Sequence, residues 1–309
     1  MSRIRMQSYI SFKDGFEEFL EYKISQGCAQ ATIKHYIESM HVFTLFFDEE
    51  NPVTDIAEKT PALFFSNLRE RDLADETIAT YMRALRTVLY FLMDRGYLRK
   101  FKVEVPKATK SFKQIYTDDE LKKLLRKPDM NKCSFVEYRD WVIINYILGT
   151  GQRVSTIINI RIRDLNLEDK IIFLRHLKNR SQTVLPVSDT LISILRRYLT
   201  IRGGSDDDCL FPTYNGNPMS ASALISSIRR YNRSRGVEKT SIHLLRHTFA
   251  VKWVKESGDI AKLQRILTHS SLETTQLYLD FVCEDLRDSV NTVTPLETLK
   301  RSDKIAVRR

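Results

Sequence analysis

The strongest constraint on the fold is a break in the sequence pattern at residues 103–114. This segment, VEVPKATKSFKQ, contains Pro106 and three lysines and has no periodic apolar face, which is typical of a linker. At 309 residues the chain is long enough for two domains, each with its own hydrophobic core. We therefore expect a first domain over 1–104, a linker over 105–116, a second domain over 117–290 and a tail over 291–309.

The residues before the linker predict a small helical bundle. Apolar side chains recur there at helical spacing in four stretches. Asp75 is expected to cap the fourth and longest helix, and Gly96 to end it. Four helices with short connections make a four-helix bundle. The four apolar stretches run from Phe12 to Leu20, from Ile33 to Phe47, from Pro61 to Leu68 and from Ile78 to Leu92.

The residues after the linker predict a mixed, mainly helical domain. Thr117-Asp-Asp-Glu120 has the spacing of a capping box and should begin its first helix. Two short apolar strands, at 171–175 and 183–187, flank the polar turn HLKNRSQ and predict a small antiparallel sheet. Helices are expected at 118–126, 136–149, 153–160, 189–202, 220–235, 242–257, 259–268 and 271–280.

Charge divides unevenly between the two parts of the chain. Residues 1–104 hold 14 basic and 16 acidic side chains, against 35 and 23 in the remainder. A basic second half suits a polyanionic partner, and nucleic acid is favoured over a membrane because no basic amphipathic anchor is evident. The simpler interpretation is a basic protein that has no acidic partner. Net charge alone does not decide between these two interpretations.

The cysteines and the N-terminus indicate in which cellular compartment the protein is expected. Cys28, Cys133, Cys209 and Cys283 lie too far apart for a local metal-ligand pattern, and nothing pairs them as disulfides. We expect them to be packing residues. The N-terminus has no apolar stretch with a cleavage site, and no apolar run is long enough to span a bilayer. A cytoplasmic protein with no membrane partner is therefore expected.

Two short patterns place cationic side chains where they can bind an anion. In GTGQRVSTIINI, Arg153 follows a glycine-containing bend and begins a helix whose isoleucines point inward. An arginine held rigidly at such a bend is a bidentate donor for a phosphate. Lys178 lies in the polar turn between the two predicted strands, where its ammonium can reach a backbone oxygen or protonate a leaving group. Taken singly, each is more simply explained as a solvated surface cation.

Two further patterns lie near the end of the second domain. His243 and Arg246 are three residues apart at the start of a helix, so imidazole and guanidinium can converge on one anion near the positive end of the dipole. His247 points elsewhere and is expected to be structural. In LTHSSLETTQLYLD, His269 falls between helices and Tyr278 lies near the end of the next one. A tyrosine phenol has an ordinary pKa of about 10 and is a poor nucleophile unless cations stabilise the phenolate.

The order Arg, Lys, His-x-x-Arg, His, Tyr is similar to that of the tyrosine recombinase (phage integrase) family. The resemblance covers about 117–290 as the catalytic domain, and the bundle in 8–104 resembles the SAM-like core-binding domain of that family. It implies that Arg153 and Arg246 bind the scissile phosphate and that Lys178 is the general acid for the 5′-oxygen. It further implies that His243 accepts the proton of Tyr278, that His269 is another phosphate donor and that Tyr278 is the nucleophile.

Two positions depart from the pattern of that family. Gln152 stands before the first arginine, where the family usually has an apolar residue. Thr268 stands before His269, where the family commonly has glycine. Neither change removes a chemical group from the predicted site, although both weaken assignment to a subfamily.

The resemblance also implies a reaction and its partners. Tyr278 would attack a phosphodiester to give a 3′-phosphotyrosyl link, which a 5′-hydroxyl of another strand then attacks. The bond energy is conserved in the covalent intermediate, so no cofactor, metal or ATP is expected. The partners would be a double-stranded DNA recombination site and further copies of the chain, with two protomers per site and a tetramer at synapsis. Base contacts are expected from Thr80, Arg83 and Thr87 on one helix, or from Arg229, Arg230 and Arg233 on another.

Three alternatives remain open at this stage. A type IB topoisomerase uses the same catalytic groups but relaxes supercoils without exchanging partners. A telomere resolvase applies the same chemistry to a hairpin end. A DNA-binding protein without catalytic activity is the alternative from another class, and full biological effect of Tyr278→Phe would favour it.

Overall fold

The structure, a computed structural model, describes residues 10–106, 114–175 and 183–268. The chain divides into two compact units between residues 112 and 113, and each has a hydrophobic core of its own. Both units are mostly helical, and the second contains a small antiparallel sheet. The fold class predicted from the sequence is therefore confirmed. No helix within the described ranges is both long and apolar enough to cross a bilayer.

In its described part the first unit is built from four α-helices. α4 contacts each of the other three, because apolar residues cover a broad face along its length. Rings from α1, α2 and α3 fill the space beside it, with Phe12, Phe43 and Phe64 in tilted or edge-to-face contact. The helices are α1 (Phe12–Ser25), α2 (Gln30–Thr44), α3 (Thr60–Glu70) and α4 (Asp75–Asp94).

The start of α4 differs from the sequence prediction. Ala74 occupies the N-cap position and provides no side-chain cap, whereas Asp75 is the first helical residue. The carboxylate of Asp75 still lies in the first turn, where it interacts favourably with the helix dipole. It also accepts a 3.1 Å hydrogen bond from Arg69 at the end of α3. Asp75 therefore stabilises the helix start through charge, and the prediction that it caps the helix was wrong.

The described part of the second unit surrounds one buried helix, α6. Apolar side chains occupy every face of α6, and the helix contacts α5, α8, α9 and α10. The predicted capping box is present, since Thr117 and Glu120 exchange hydrogen bonds at the start of α5. The helices are α5 (Asp118–Leu125), α6 (Phe135–Thr150), α7 (Val154–Asn159), α8 (Asp189–Arg202), α9 (Ala221–Ser234), α10 (Ile242–Ser257) and α11 (Ile260–Leu267).

The sheet has one strand more than the sequence predicts. Its described strands are β1 (Leu165–Asn166), β2 (Ile171–Leu174) and β3 (Thr183–Pro186), antiparallel and in the order β1-β2-β3. The alternation along β2 and β3 buries Ile172 and Leu185, which are partners across the ladder. β1 has only two residues, too few for any periodicity to be visible in the sequence.

Candidate active site

The bend between α6 and α7 positions the first predicted arginine. Gly151 ends α6 in the left-handed conformation, with φ of 63°. A side chain there would collide with Phe249 of α10 and Leu267 of α11. Glycine is therefore required both by the backbone conformation and by the lack of space. Arg153 follows at the N-cap of α7, and its side chain is half-buried.

Arg246 comes from the first half of α10 and is held by backbone carbonyls. Only 7% of the residue is exposed. Its Nη1 donates to the carbonyl of Gly151 at 2.6 Å, and its Nη2 donates to the carbonyl of Leu267 at 3.1 Å. The guanidinium thus joins the bend before Arg153 to the end of α11.

The two predicted arginines converge on the same helix end. The Nη1 of Arg153 lies 3.4 Å from both the carbonyl oxygen and the Oγ1 of Thr268, the residue directly after α11. Arg246 contacts Leu267, the residue directly before Thr268. A helix C-terminus carries partial negative charge, so it is a favourable place to hold two cations close together. The structure thus brings together two of the six predicted catalytic residues.

His243 lies one turn before Arg246 in the first turn of α10. Its side chain is exposed, whereas that of Arg246 is buried. The spacing of three residues places both on adjacent turns of one helix, with the imidazole on the solvent side. His247 is half-buried on the same helix. The other three predicted catalytic residues, Lys178, His269 and Tyr278, lie outside the described residues, and their positions stay predictions.

A groove in the second unit is lined by Thr268 and by two cationic side chains. β3 forms one wall of the groove, and Trp253 of α10 together with α11 forms the other. Lys262 and Arg265 add two cations to the α11 wall. Both cations lie on the α11 wall, where Lys262 is paired with Asp259 at 3.0 Å. Beside Arg153 and Arg246, this wall is suited to a polyanion.

The predicted base-contacting residues on α4 interact mainly with each other. Arg83 is exposed and donates to Glu76 at 2.7 Å and to the Oγ1 of Thr80 at 3.0 Å. Thr80 and Thr87 are partly exposed, and their hydroxyls donate to the carbonyls of Glu76 and Arg83. An exposed ion pair of this kind contributes little to stability and is easily exchanged for another partner. The three side chains share the face of α4 opposite the core.

The arginines of α9 are exposed on a helix that a buried charged network holds in place. Arg229, Arg230 and Arg233 face solvent. On the other side of the helix, Ser227 accepts from Arg139 at 2.8 Å and donates to Asp140 at 2.6 Å.

The same network reaches further into the second unit. Arg139 also pairs with Asp140 at 2.7 Å and donates to the carbonyl of Pro212 at 2.8 Å. Burial raises the pKa of Asp140, and the neighbouring Arg139 opposes that rise. The network therefore fixes the orientation of the basic face of α9.

Sequence reasoning noted Gln152 only as a departure from a pattern and missed its structural role. The residue is 2% exposed, and its Nε2 donates to the carbonyl of Ile266 at 2.8 Å. A single polar residue between a glycine and an arginine gives no sequence signal that it is buried. The contact joins residues 114 positions apart, which no local pattern predicts.

Comparison with known proteins finds family profiles that match both units of the chain. The sequence profile described as "Phage integrase family" matches residues 114–282, and the one described as "Phage integrase, N-terminal SAM-like domain" matches residues 16–96. The tyrosine recombinase XerA of Pyrococcus horikoshii is 29% identical over 290 residues, which are 93% of this chain and 95% of that protein.

Two solved structures have the same fold. The Tn1549 transposon integrase in complex with transposon right end DNA superposes with a TM-score of 0.75 at 18% identity, covering 91% of this chain and all of that one. A lambda integrase tetramer bound to a Holliday junction gives 0.71 at 17% identity, covering 88% of this chain and 78% of that one. The profile match spans more than half of the sequence, and with it the resemblance predicted from the motifs is confirmed: the chain belongs to the phage integrase family.

Proposed function

We propose that the chain is a site-specific DNA recombinase that cleaves and rejoins DNA through a 3′-phosphotyrosyl intermediate. The observation that carries this proposal is the convergence of Arg153 and Arg246 on the end of α11 in a chain of this family. From that end the sequence continues directly to His269 and, nine residues later, to Tyr278. The cations that would bind the scissile phosphate thus adjoin the segment that would supply the nucleophile.

The proposed reaction assigns a role to each of the six groups. The Oη of Tyr278 attacks the phosphorus and transfers its proton to His243, while the bond to the 5′-oxygen breaks. Lys178 protonates that oxygen, which leaves as a 5′-hydroxyl. Arg153, Arg246 and His269 donate to the non-bridging oxygens, on which negative charge accumulates in the transition state. Donors already held in place need no reorganisation at that moment, which is why the anchoring of Arg246 matters.

DNA binding would use the basic surfaces already described. The second half of the chain carries the positive charge, and α9 presents Arg229, Arg230 and Arg233 in the orientation fixed by the buried network. On α4, Arg83 would leave Glu76 for the DNA. Phosphate contacts would dominate affinity and make it depend on salt, while the contacts of these two helices would distinguish bases. The similarity to the tyrosine recombinase XerA supports this proposal, as does the fold shared with the Tn1549 integrase and lambda integrase, whose solved complexes contain DNA.

The reaction is tested by trapping the covalent complex. The full chain is incubated with nicked duplexes from its own genomic neighbourhood, so that the short strand diffuses away after cleavage and religation is prevented. We expect a covalent protein–DNA complex whose modified peptide contains Tyr278, and joined products when a second site is added. With a supercoiled plasmid as the substrate, relaxation without joined partners would instead identify a topoisomerase.

Metal independence is a separate expectation. Cleavage should persist at its full rate in excess EDTA, because side chains fill every charge-stabilising role in the proposed mechanism. The measurement compares the rate of covalent complex formation with EDTA and with added magnesium. A complete loss of cleavage on chelation that magnesium restores would contradict this part of the proposal.

The assembly on DNA is proposed to contain two protomers per site and a tetramer at synapsis, since exchange of four strands needs four nucleophiles. Deleting residues 284–309 should leave the second unit folded and lower recombination far more than DNA binding by one protomer. The reason is an apolar set in the sequence after the nucleophile that could dock on a neighbouring copy. Circular dichroism, gel shift and recombination assays on the truncated chain measure its folding, its DNA binding and its recombination rate. Recombination at the full rate would show that this segment does not contribute to the assembly. The apolar set is Leu279, Phe281, Val282, Leu286 and Val290, of which the deletion removes Leu286 and Val290.

A further inference from the structure

The C-terminal end of α11 is held by donors from outside the helix. The last carbonyls of an α-helix have no partner within it and need donors from elsewhere. Here the carbonyl of Ile266 accepts from Gln152 at 2.8 Å, and the carbonyl of Leu267 accepts from Arg246 at 3.1 Å. Both donors belong to or contact the bend at 151–153. The end of α11 is therefore fastened to the same bend that carries Arg153.

Thr268 continues this arrangement by one residue. Its carbonyl and its hydroxyl both lie 3.4 Å from Arg153. The backbone of Thr268 is in the left-handed conformation, with φ of 51°, which is uncommon for a β-branched residue and costs free energy. Three successive residues, 266 to 268, thus contact Gln152, Arg246 and Arg153 in turn. A strained residue persists only where its surroundings fix it, and here those surroundings are the two arginines and Gln152.

The orientation of the Gln152 amide follows from its partners. Nε2 donates to the carbonyl of Thr150 at 3.3 Å as well as to that of Ile266. Both partners are acceptors, so the nitrogen must face them, and Oε1 lies on the opposite side. Oε1 is buried and has no hydrogen-bond partner among the described residues. Burying an acceptor without a donor is unfavourable, so an apolar side chain would suit a purely structural position better.

We propose that Gln152 is a positioning residue that keeps the end of α11 in register with Arg153 and Arg246. This inference rests on the proposed function, because the register matters only if the arginines bind the scissile phosphate. The chain leaves Thr268 directly toward His269 and Tyr278. A shift of α11 relative to the bend would move the origin of that segment away from the phosphate. Geometry of this kind affects the chemical step far more than the binding of DNA.

The test replaces Gln152 with methionine, which has a similar length and shape but neither donates nor accepts a strong hydrogen bond. We expect Gln152→Met to bind a nicked duplex with a Kd within about twofold of the original chain. The single-turnover rate of covalent complex formation at saturating DNA should fall on the order of tenfold, as one positioning hydrogen bond is lost. A split between rate and Kd is not expected from a general loss of stability.

Asn232 provides a matched control on the core side of α9. It is fully buried, its Nδ2 donates to Tyr116 and Lys239 at 2.9 Å, and its Oδ1 also has no partner among the described residues. Asn232→Leu removes the same kind of amide from the same unit. We expect it to lower the thermal unfolding midpoint and to leave the rate at saturating DNA unchanged, when both variants are assayed well below their midpoints.

The outcomes distinguish failure of the proposed function from failure of the positioning role of Gln152. If the original chain forms no covalent complex, the proposed function is wrong, whatever Gln152 does. If it does form the complex and Gln152→Met reacts at the same rate, the positioning role is wrong. Equal loss of rate in Gln152→Met and Asn232→Leu would also overturn it. Should Gln152→Met not fold, Gln152→Leu also removes the donor without introducing a charge, and it should show the same split between rate and Kd.

Discussion

Replacing Tyr278 with phenylalanine should abolish the covalent protein–DNA complex and leave DNA affinity unchanged. Phenylalanine keeps the ring and removes only the oxygen that forms the bond to phosphorus. Loss of a nucleophile usually eliminates the product rather than slowing it, because no other group occupies the same position. The measurement is the amount of complex trapped on a nicked duplex, with Kd determined by gel shift under the same conditions.

The other tyrosines of the chain supply the controls for this experiment. Tyr214 is the most exposed large apolar residue of the described part of the chain, at 76%, so Tyr214→Phe should form the complex at the full rate. Tyr231 is buried, donates to the carbonyl of Leu124 at 3.0 Å, and has its pKa raised by burial. It is therefore a poor nucleophile. A modified peptide that contains Tyr231, Tyr214 or any tyrosine other than Tyr278 would refute the assignment.

Truncating either arginine should reduce cleavage by on the order of 100-fold or more, as for other preorganised anion donors. Arg153→Ala and Arg246→Ala each remove one donor from the scissile phosphate, while DNA binding should fall far less because many phosphate contacts remain. The structure adds a difference between the two variants. Arg246→Ala removes the donor to the carbonyl of Gly151, at a cost of about 1–3 kcal/mol in stability, whereas the carbonyl of Leu267 keeps the hydroxyl of Thr268 as a donor at 2.7 Å. The contacts of Arg153 to Thr268 are longer, at 3.4 Å, and its side chain is less buried than that of Arg246, so its loss should cost less stability.

A buried arginine outside the site separates stability from chemistry. The side chain of Arg202 is 5% exposed and donates to the carbonyls of Gly203 at 2.6 Å and Cys209 at 2.5 Å, much as Arg246 does at its own site. Arg202→Ala should therefore lower the thermal unfolding midpoint about as much as Arg246→Ala does. It should retain the cleavage rate, measured in single turnovers at saturating DNA. If cleavage and binding fall by equal factors in Arg153→Ala and Arg246→Ala, the two arginines only position the DNA.

Local patterns in the sequence predict most of the helices but not the smallest features. The helix over Asp189–Arg202 was predicted with both bounds correct, because Ser188 caps it and apolar residues recur throughout. β1 was missed because two residues carry no periodicity. Asp75 was predicted to be the N-cap of α4 but is its first helical residue. An aspartate at either position interacts favourably with the helix dipole, so the sequence does not distinguish the two. Local signals thus identify an element more reliably than its boundary.

The candidate site could be predicted as a set of residues but not as a set of contacts. The order of Arg153, His243 and Arg246 along the chain is visible in the sequence. The contacts that hold the site together are not visible there. Arg246 donates to a carbonyl 95 residues away, and Gln152 donates to a carbonyl 114 residues away. Such pairings depend on how α6, α10 and α11 pack together, which no single segment determines. The places of Lys178, His269 and Tyr278 stay predictions.

The fit around Gly151 restricts how this chain can vary over evolutionary time. At Gly216, φ is also positive, but no atom lies within 4 Å of where a side chain would begin, so asparagine or aspartate can replace glycine at modest cost. At Gly151 the backbone conformation and the neighbouring Phe249 and Leu267 both act against any side chain. A smaller residue at 267 would leave the collision with Phe249 and would not relieve the backbone, so no single compensating change opens this position. Glycine at 151 is therefore expected to persist in any lineage that keeps this packing.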